Sequence, residues 1–231
     1  MPTEMLRHVL AAALGGLALG VALWPSSPSA LGPAINAMVR DEKSKPVEDA
    51  VVYLVPAGAG AAAGTPRAPA VMDQWKQEFI PYVLPVEVGT MVSFPNRDNI
   101  RHHVYSVSPP KKFELPLYIG TPASPLVFDE PGPVVLGCNI HDWMVAYIYV
   151  LPTSRFAKTG PDGRARIDGL ASGTHEVRVW HPRLKVDTET TGQRVALSAG
   201  AAAEVTLTVG LKREWRKPRP ADSRYDSGLS K

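Results

Sequence analysis

The chain is poor in several features that would classify it at once. A single cysteine, Cys138, stands among 231 residues, which excludes an intrachain disulfide. Beyond the first thirty residues no stretch repeats its apolar side chains every three to four positions, which excludes a helical bundle. Charge of one sign is scarce as well: the net charge is only +3. Lys212, Arg213, Arg216, Lys217, Arg219, Arg224 and Lys231 oppose Glu214, Asp222 and Asp226, so the segment after Leu211 holds +4 and the rest about −1. A folded basic face for nucleic acid is therefore excluded. What is present is a chain 45% apolar, able to bury a core, with 23 prolines and 19 glycines that call for many turns. Such a balance predicts an all-β protein.

The N-terminus has an export layout. Arg7 and His8 precede Val9–Trp24, an unbroken apolar or glycine run, and Pro25–Ala30 is small or turn-forming throughout. A positive start, a short apolar centre and a small-residue end read as a signal peptide over residues 1–30. The run is shorter than the roughly 20 residues of a full span. The expected location is the periplasm, and membrane contact is expected only if the segment stays uncleaved. An unpaired thiol in such an oxidising compartment needs a purpose.

Short strands separated by turn signals fill the remainder. Ile35–Val39 and Ala50–Val55 flank the polar turn Asp41–Pro46, and an Ala/Gly/Pro connector spans residues 57–71. Leu84–Val88, Met91–Phe94, Val104–Val107, Pro125–Phe128, Val134–Leu136 and Val145–Leu151 follow. Ala165–Ile167, Glu176–Trp180, Arg194–Leu197 and Glu204–Val209 complete the set. Strands of this length and spacing predict sandwiches or barrels.

The chemistry is concentrated in Cys138-Asn139-Ile140-His141-Asp142-Trp143-Met144, a C-x2-H-x2-M loop set between two of these strands. A thiolate, an imidazole and a thioether form a soft donor set suited to copper, and a second imidazole would complete a His2Cys site with an axial Met. His102 and His103 are both candidates for it. Asn96 and Asp98 are expected to fix the turn before them through side-chain to backbone bonds. Trp143 is expected to shield the ion or to form an apolar docking face, with Asn139 beside it. His175 and His181, on turns or strand ends elsewhere, are expected to be solvated.

These residues carry a family resemblance. Phe79, Pro81, Val86, Gly89, Val92, Phe94, Asn96, Asp98, His102, Val104, Phe128, Pro131-Gly132, Cys138, His141 and Met144 resemble the cupredoxins, blue-copper domains that include plastocyanin, pseudoazurin and amicyanin. The loop has the amicyanin spacing, and the stretch looks like the plastocyanin-like proteins labelled methylamine-utilisation proteins. The resemblance implies His102, Cys138, His141 and Met144 as ligands of one copper ion per chain, cycling between Cu(I) and Cu(II). It makes His103, which departs from the family pattern, the alternative ligand. It also implies a redox partner protein that docks near His141.

A second resemblance brackets the first. Val39–Asp41 with Lys45–Val52 looks like the opening of a carboxypeptidase-regulatory-like, or transthyretin-like, β-sandwich. The usual continuation comes only at Thr159–Val179, through Asp162-Gly163, Ile167, Gly169-Leu170, Gly173, Val177 and Val179. The expected order is thus first strands at 33–56, linker 57–71, cupredoxin 72–152, the remaining strands at 153–211 and a basic tail at 212–231. The expected fold class is all-β, a Greek-key cupredoxin sandwich inserted in or fused to a smaller sandwich. The implied function is one-electron transfer without catalysis; the same ligands would serve copper storage or delivery.

Overall fold

A computed structural model describes residues 32–56, 67–122 and 124–215. The expected signal segment, most of the linker and the tail from residue 216 lie outside the described residues. Among those described, no helix is long and apolar enough to cross a membrane. Strands dominate, and one 3-10 turn at Thr188–Thr191 interrupts them. In chain order the strands are β1 Ala34–Asp41, β2 Val51–Leu54, β3 Ala70–Val71, β4 Asp73–Trp75, β5 Glu78–Ile80, β6 Val83–Glu87, β7 Thr90–Ser93 and β8 His102–Ser108. They continue as β9 Lys111–Tyr118, β10 Leu126–Phe128, β11 Gly132–Gly137, β12 Val145–Leu151, β13 Phe156–Lys158, β14 Arg164–Ile167, β15 Gly173–Trp180, β16 Gln193–Leu197 and β17 Ala202–Val209.

The chain path is nested. β2 pairs with β13 and β15, with Val52 opposite both Ala157 and Val179. β1 pairs with β14 and, in parallel, with β17. The outer strands therefore form two sheets, β14-β1-β17 and β13-β2-β15-β16, closed by partners more than a hundred residues apart. Between β2 and β13 the chain builds the five-stranded sheet β6-β12-β11-β8-β9, the small sheet β10-β7-β3 and the β4–β5 hairpin.

Period-two alternation sorts the side chains into three cores. Ile35, Ala37, Val39, Val52, Leu54, Val177, Val179 and Leu207 fill the outer sandwich. Phe79, Val86, Val92, Phe94, Val104, Phe128, Leu136 and Ile148 fill the inner one. β12 is apolar throughout because both its faces are covered. Ala146, Ile148 and Val150 point into the inner core, whereas Tyr147, Tyr149 and Leu151 meet Val51, Tyr53, Val83 and Trp180 in a third core that joins the two. There the Tyr149 and Trp180 rings stack 4.3 Å apart at 6°. Each fully buried aliphatic or aromatic side chain contributes about 2 kcal/mol by leaving water.

Two local features depart from the sequence reading. Lys111–Tyr118 is a strand despite Pro116, because β9 is the sheet's edge, where a missing N–H is tolerated. Its ladder with β8 slips between His102 and Val104, so Pro116 falls within the irregular stretch. His181 is not solvated but buried: its Nδ1 accepts the Arg183 N–H at 3.1 Å. Burial, with the nearby Arg183 charge, pushes its pKa down to about 4. His175 is half-buried rather than fully solvated, and its Nε2 bonds the Ala171 carbonyl at 2.8 Å.

Candidate metal centre

β8 and the loop from β11 to β12 bring the chemistry together at one end of the inner sandwich. Gly137 ends β11 opposite Tyr105, and a Cβ there would lie 2.9 Å from the Tyr105 ring. A side chain there would have to displace the end of the Tyr105 ring, so glycine lets that ring pack over the strand that delivers Cys138 beside β8. The loop then turns tightly, with the Met144 N–H donating to the His141 carbonyl at 2.9 Å.

His102 Nδ1 lies 3.2 Å from His141 Nδ1, and Cys138 Sγ lies 3.7 Å from the same His141 nitrogen. The ligand-capable atoms of His102, Cys138 and His141 all fall within 4.8 Å of one another. His102 and Cys138 are buried and His141 is half-buried. Met144 is 1% exposed and lies in the same apolar core as Cys138. Three electron-rich atoms facing one another in a dry site repel unless a cation or a shared proton stands among them. The set fits a soft transition-metal ion on donor chemistry alone.

The surroundings orient these donors and shift their protonation. Asp98, with no side-chain exposure, accepts from His102 Nε2 at 2.7 Å. A carboxylate there requires the hydrogen on Nε2 and turns the Nδ1 lone pair toward Cys138 and His141. Burial works to raise the Asp98 carboxyl, but the His102 ring and the Gln77 and Lys76 amides outweigh it and hold it low. Burial likewise opposes charging of His102, yet Asp98 and Cys138 beside it raise its pKa. The Cys138 thiol, against its burial, is drawn down by His102 and by the Ile140 and His103 amides. His141 goes the other way, lowered by burial and by the neighbouring His102.

His103 does not join the cluster. Its Nε2 meets Glu114 at 2.8 Å and its ring lies against Tyr105. Neighbouring strand residues face opposite ways, so only one of the two histidines can turn inward. What His103 contributes is its backbone amide, which helps to draw the Cys138 thiol down. Asn96 spans its turn: Nδ2 donates to the Ile100 and Tyr118 carbonyls, and Oδ1 accepts from the Asp98 N–H. Trp143 lies 5.1 Å from the His141 ring and donates through Nε1 to the Gln77 carbonyl at 3.1 Å. Asn139 is exposed.

Sequence reasoning missed the β4–β5 hairpin. Gln74, fully buried, donates through Nε2 to the Tyr118 hydroxyl at 2.5 Å and to the Pro95 carbonyl at 3.2 Å. Burial pushes the Tyr118 phenol up to about 12. The one available signal was a buried-type spacing of Met72, Gln74 and Phe79 around polar Lys76-Gln77, too short to separate from a loop.

No family model and no curated protein matches the chain. Solved structures do. A Cu-containing nitrite reductase from Thermus scotoductus SA-01 is 30% identical over 43% of this chain, with a TM-score of 0.35. The match spans 26% of that enzyme's chain, about a quarter of its length. A reduced Cu(I) form of an amicyanin variant is 26% identical over 43% of this chain and 98% of its own, with a TM-score of 0.33. A purple cupredoxin from Nitrosopumilus maritimus is 23% identical over 36% of this chain and all of its own, with a TM-score of 0.31.

Proposed function

We propose that the protein is a periplasmic blue-copper electron carrier in which His102, Cys138, His141 and Met144 would hold the ion. The observation that carries this reading is the convergence of the three donor atoms within 4.8 Å, two of them buried. Bound there, copper supplies a one-electron couple between Cu(II) and Cu(I). The protein's part is to keep that couple's surroundings fixed. Asp98 orients the His102 ring, the His103 and Ile140 amides temper the thiolate, and the apolar core around Cys138 and Met144 excludes water.

His141, the least buried of the three, would be the side on which electrons reach a bound ion. Ile140 beside it is 51% exposed, and Ile119, next to the strand partner of His102, is 56% exposed. These give a transient redox partner an apolar footing near the ion, as such small encounters require. Exchange of this kind binds no substrate and moves no proton. The outer strands are a carboxypeptidase-regulatory-like sandwich that acts as scaffold or interaction module, and the inner domain is of the methylamine-utilisation-protein-like type. The segment at 1–30 is an export signal.

Titration of the full chain with Cu(II), followed by visible and EPR spectroscopy, tests the proposal. The expected result is an intense charge-transfer band with narrow hyperfine splitting that saturates at one copper per chain and bleaches reversibly on reduction. Ordinary tetragonal Cu(II) signals alone would refute it.

A further inference from the structure

The tip of the β4–β5 hairpin touches both halves of the candidate centre. Trp75-Lys76-Gln77-Glu78 forms its turn, with Lys76 at φ 55° and Gln77 at φ 57°. Two successive non-glycine residues in the left-handed region are uncommon, and none of the usual Gly, Asn or Asp turn residues is present. Such conformations persist where their surroundings hold them. Here the holding groups are identifiable. Asp98 Oδ1 accepts the Lys76 N–H at 2.7 Å, and Asp98 Oδ2 accepts the Gln77 N–H at 2.8 Å. The Gln77 carbonyl accepts Trp143 Nε1–H at 3.1 Å. At the hairpin's base, Gln74 ties into the carbonyls of Phe94 and Pro95 and the Tyr118 hydroxyl.

Asp98 also holds His102, and Trp143 lies in the loop between His141 and Met144. Outside the centre itself, then, one two-residue turn connects the carboxylate behind the upstream histidine to the indole of the ligand loop. Gln77 is 4% exposed, so water does not compete for these bonds. We propose that the Lys76-Gln77 turn is a positioning strap. It locks the His102 side of the site to the Cys138–Met144 loop before any ion arrives, so that the donors do not have to be gathered on binding. The proposal rests on the copper reading for its purpose, but its physical content belongs to the metal-free chain.

The test compares the full chain with three variants. Lys76→Val/Gln77→Val puts β-branched residues where positive φ disfavours them; Lys76→Gly/Gln77→Gly permits that conformation and serves as the rescue. Trp143→Phe cuts the indole bond and leaves the turn intact. In metal-free protein, amide exchange is read at Asp98 and at Met144, whose N–H groups bond Asn96 Oδ1 and the His141 carbonyl. The valine pair is expected to speed exchange at both positions about tenfold, and the glycine pair to restore both. Trp143→Phe is expected to loosen Asp98 as well as its own loop. Zn(II) and Cu(II) affinity should follow, falling about tenfold in the valine pair, as is usual when groups supporting a ligand are removed.

Loss of protection confined to residues 73–80, with Asp98, Met144 and metal affinity unchanged, would overturn the strap. If the valine pair fails to fold, Trp143→Phe decides: unchanged exchange at Asp98 overturns the strap by itself. A parent chain that binds no metal, yet shows the coupled exchange, would count against the copper reading and leave the strap standing.

Discussion

The inner and outer sandwiches are built by the same rule and differ in what they do with buried polar groups. Both alternate apolar side chains into a closed core. In the outer one, buried polar atoms are spent on backbone. Thr159 Oγ1 donates to the Val47 carbonyl and accepts the Ala50 N–H, and His181 accepts the Arg183 N–H. In the inner one Gln74 and Asn96 do the same and Asp98 accepts the Lys76 and Gln77 amides, but His102 and Cys138 are turned toward other side chains, with Asp98 behind the His102 ring and His141 completing the group. Backbone bonding consumes a polar group's capacity, whereas mutual facing leaves lone pairs aimed at a common point. On the copper reading, the candidate centre lies where buried donors are left unpaired by the backbone.

The sharpest way to break that contrast is to remove the one thiol. Cys138→Ser is expected to abolish the intense copper band entirely while circular dichroism keeps its β-signature; a retained band would move the centre elsewhere. The two cores can then be compared directly. Ile35→Ala in the outer core and Ile148→Ala in the inner core, both fully buried, should each cost about 2–5 kcal/mol in denaturant unfolding. Only Ile148→Ala, which faces the core around Cys138, should also weaken copper binding. Equal effects on binding would erase the distinction.

A pH profile sharpens the outer side. Because the folded His181 pKa is about 4 against an ordinary 6.5, the unfolded chain takes up a proton that the folded site refuses in between. Stability is therefore full above about pH 6.5 and falls as pH drops toward 4, by about 3 kcal/mol at most. Arg183, Asp49 and Glu214 face the ring and act on this balance. His181→Gln should flatten the metal-free profile in this window. Thr159→Val is expected to have the smallest effect, about 2 kcal/mol, by stranding the Ala50 N–H and the Val47 carbonyl.

Much of this was legible in the residues, and the exceptions have physical causes. Strands such as Val145–Leu151 show as apolar runs because both faces are covered, and the C-x2-H-x2-M loop shows because its three donors are local. The inward turn of His102 rather than His103 was not local: it depends on β8 lying beside β11 and on Asp98 behind the ring. Pro116 masked an edge strand, since proline marks strand ends only where a ladder partner is needed. The Lys76-Gln77 turn was invisible because its conformation is imposed by Asp98, 21 positions beyond Gln77, and not by its own residues. His181 carried no burial signal of its own, because its enclosure comes from the turn at 45–49 and from Arg183.

Copper K-edge absorption on the copper-loaded full chain tests the central claim most directly, since it counts the donor atoms around the ion. The account predicts two imidazole nitrogens and one short bond to thiolate sulfur, with the sulfur contribution lost in Cys138→Ser. A shell of oxygen and nitrogen alone, unchanged by that substitution, would contradict it.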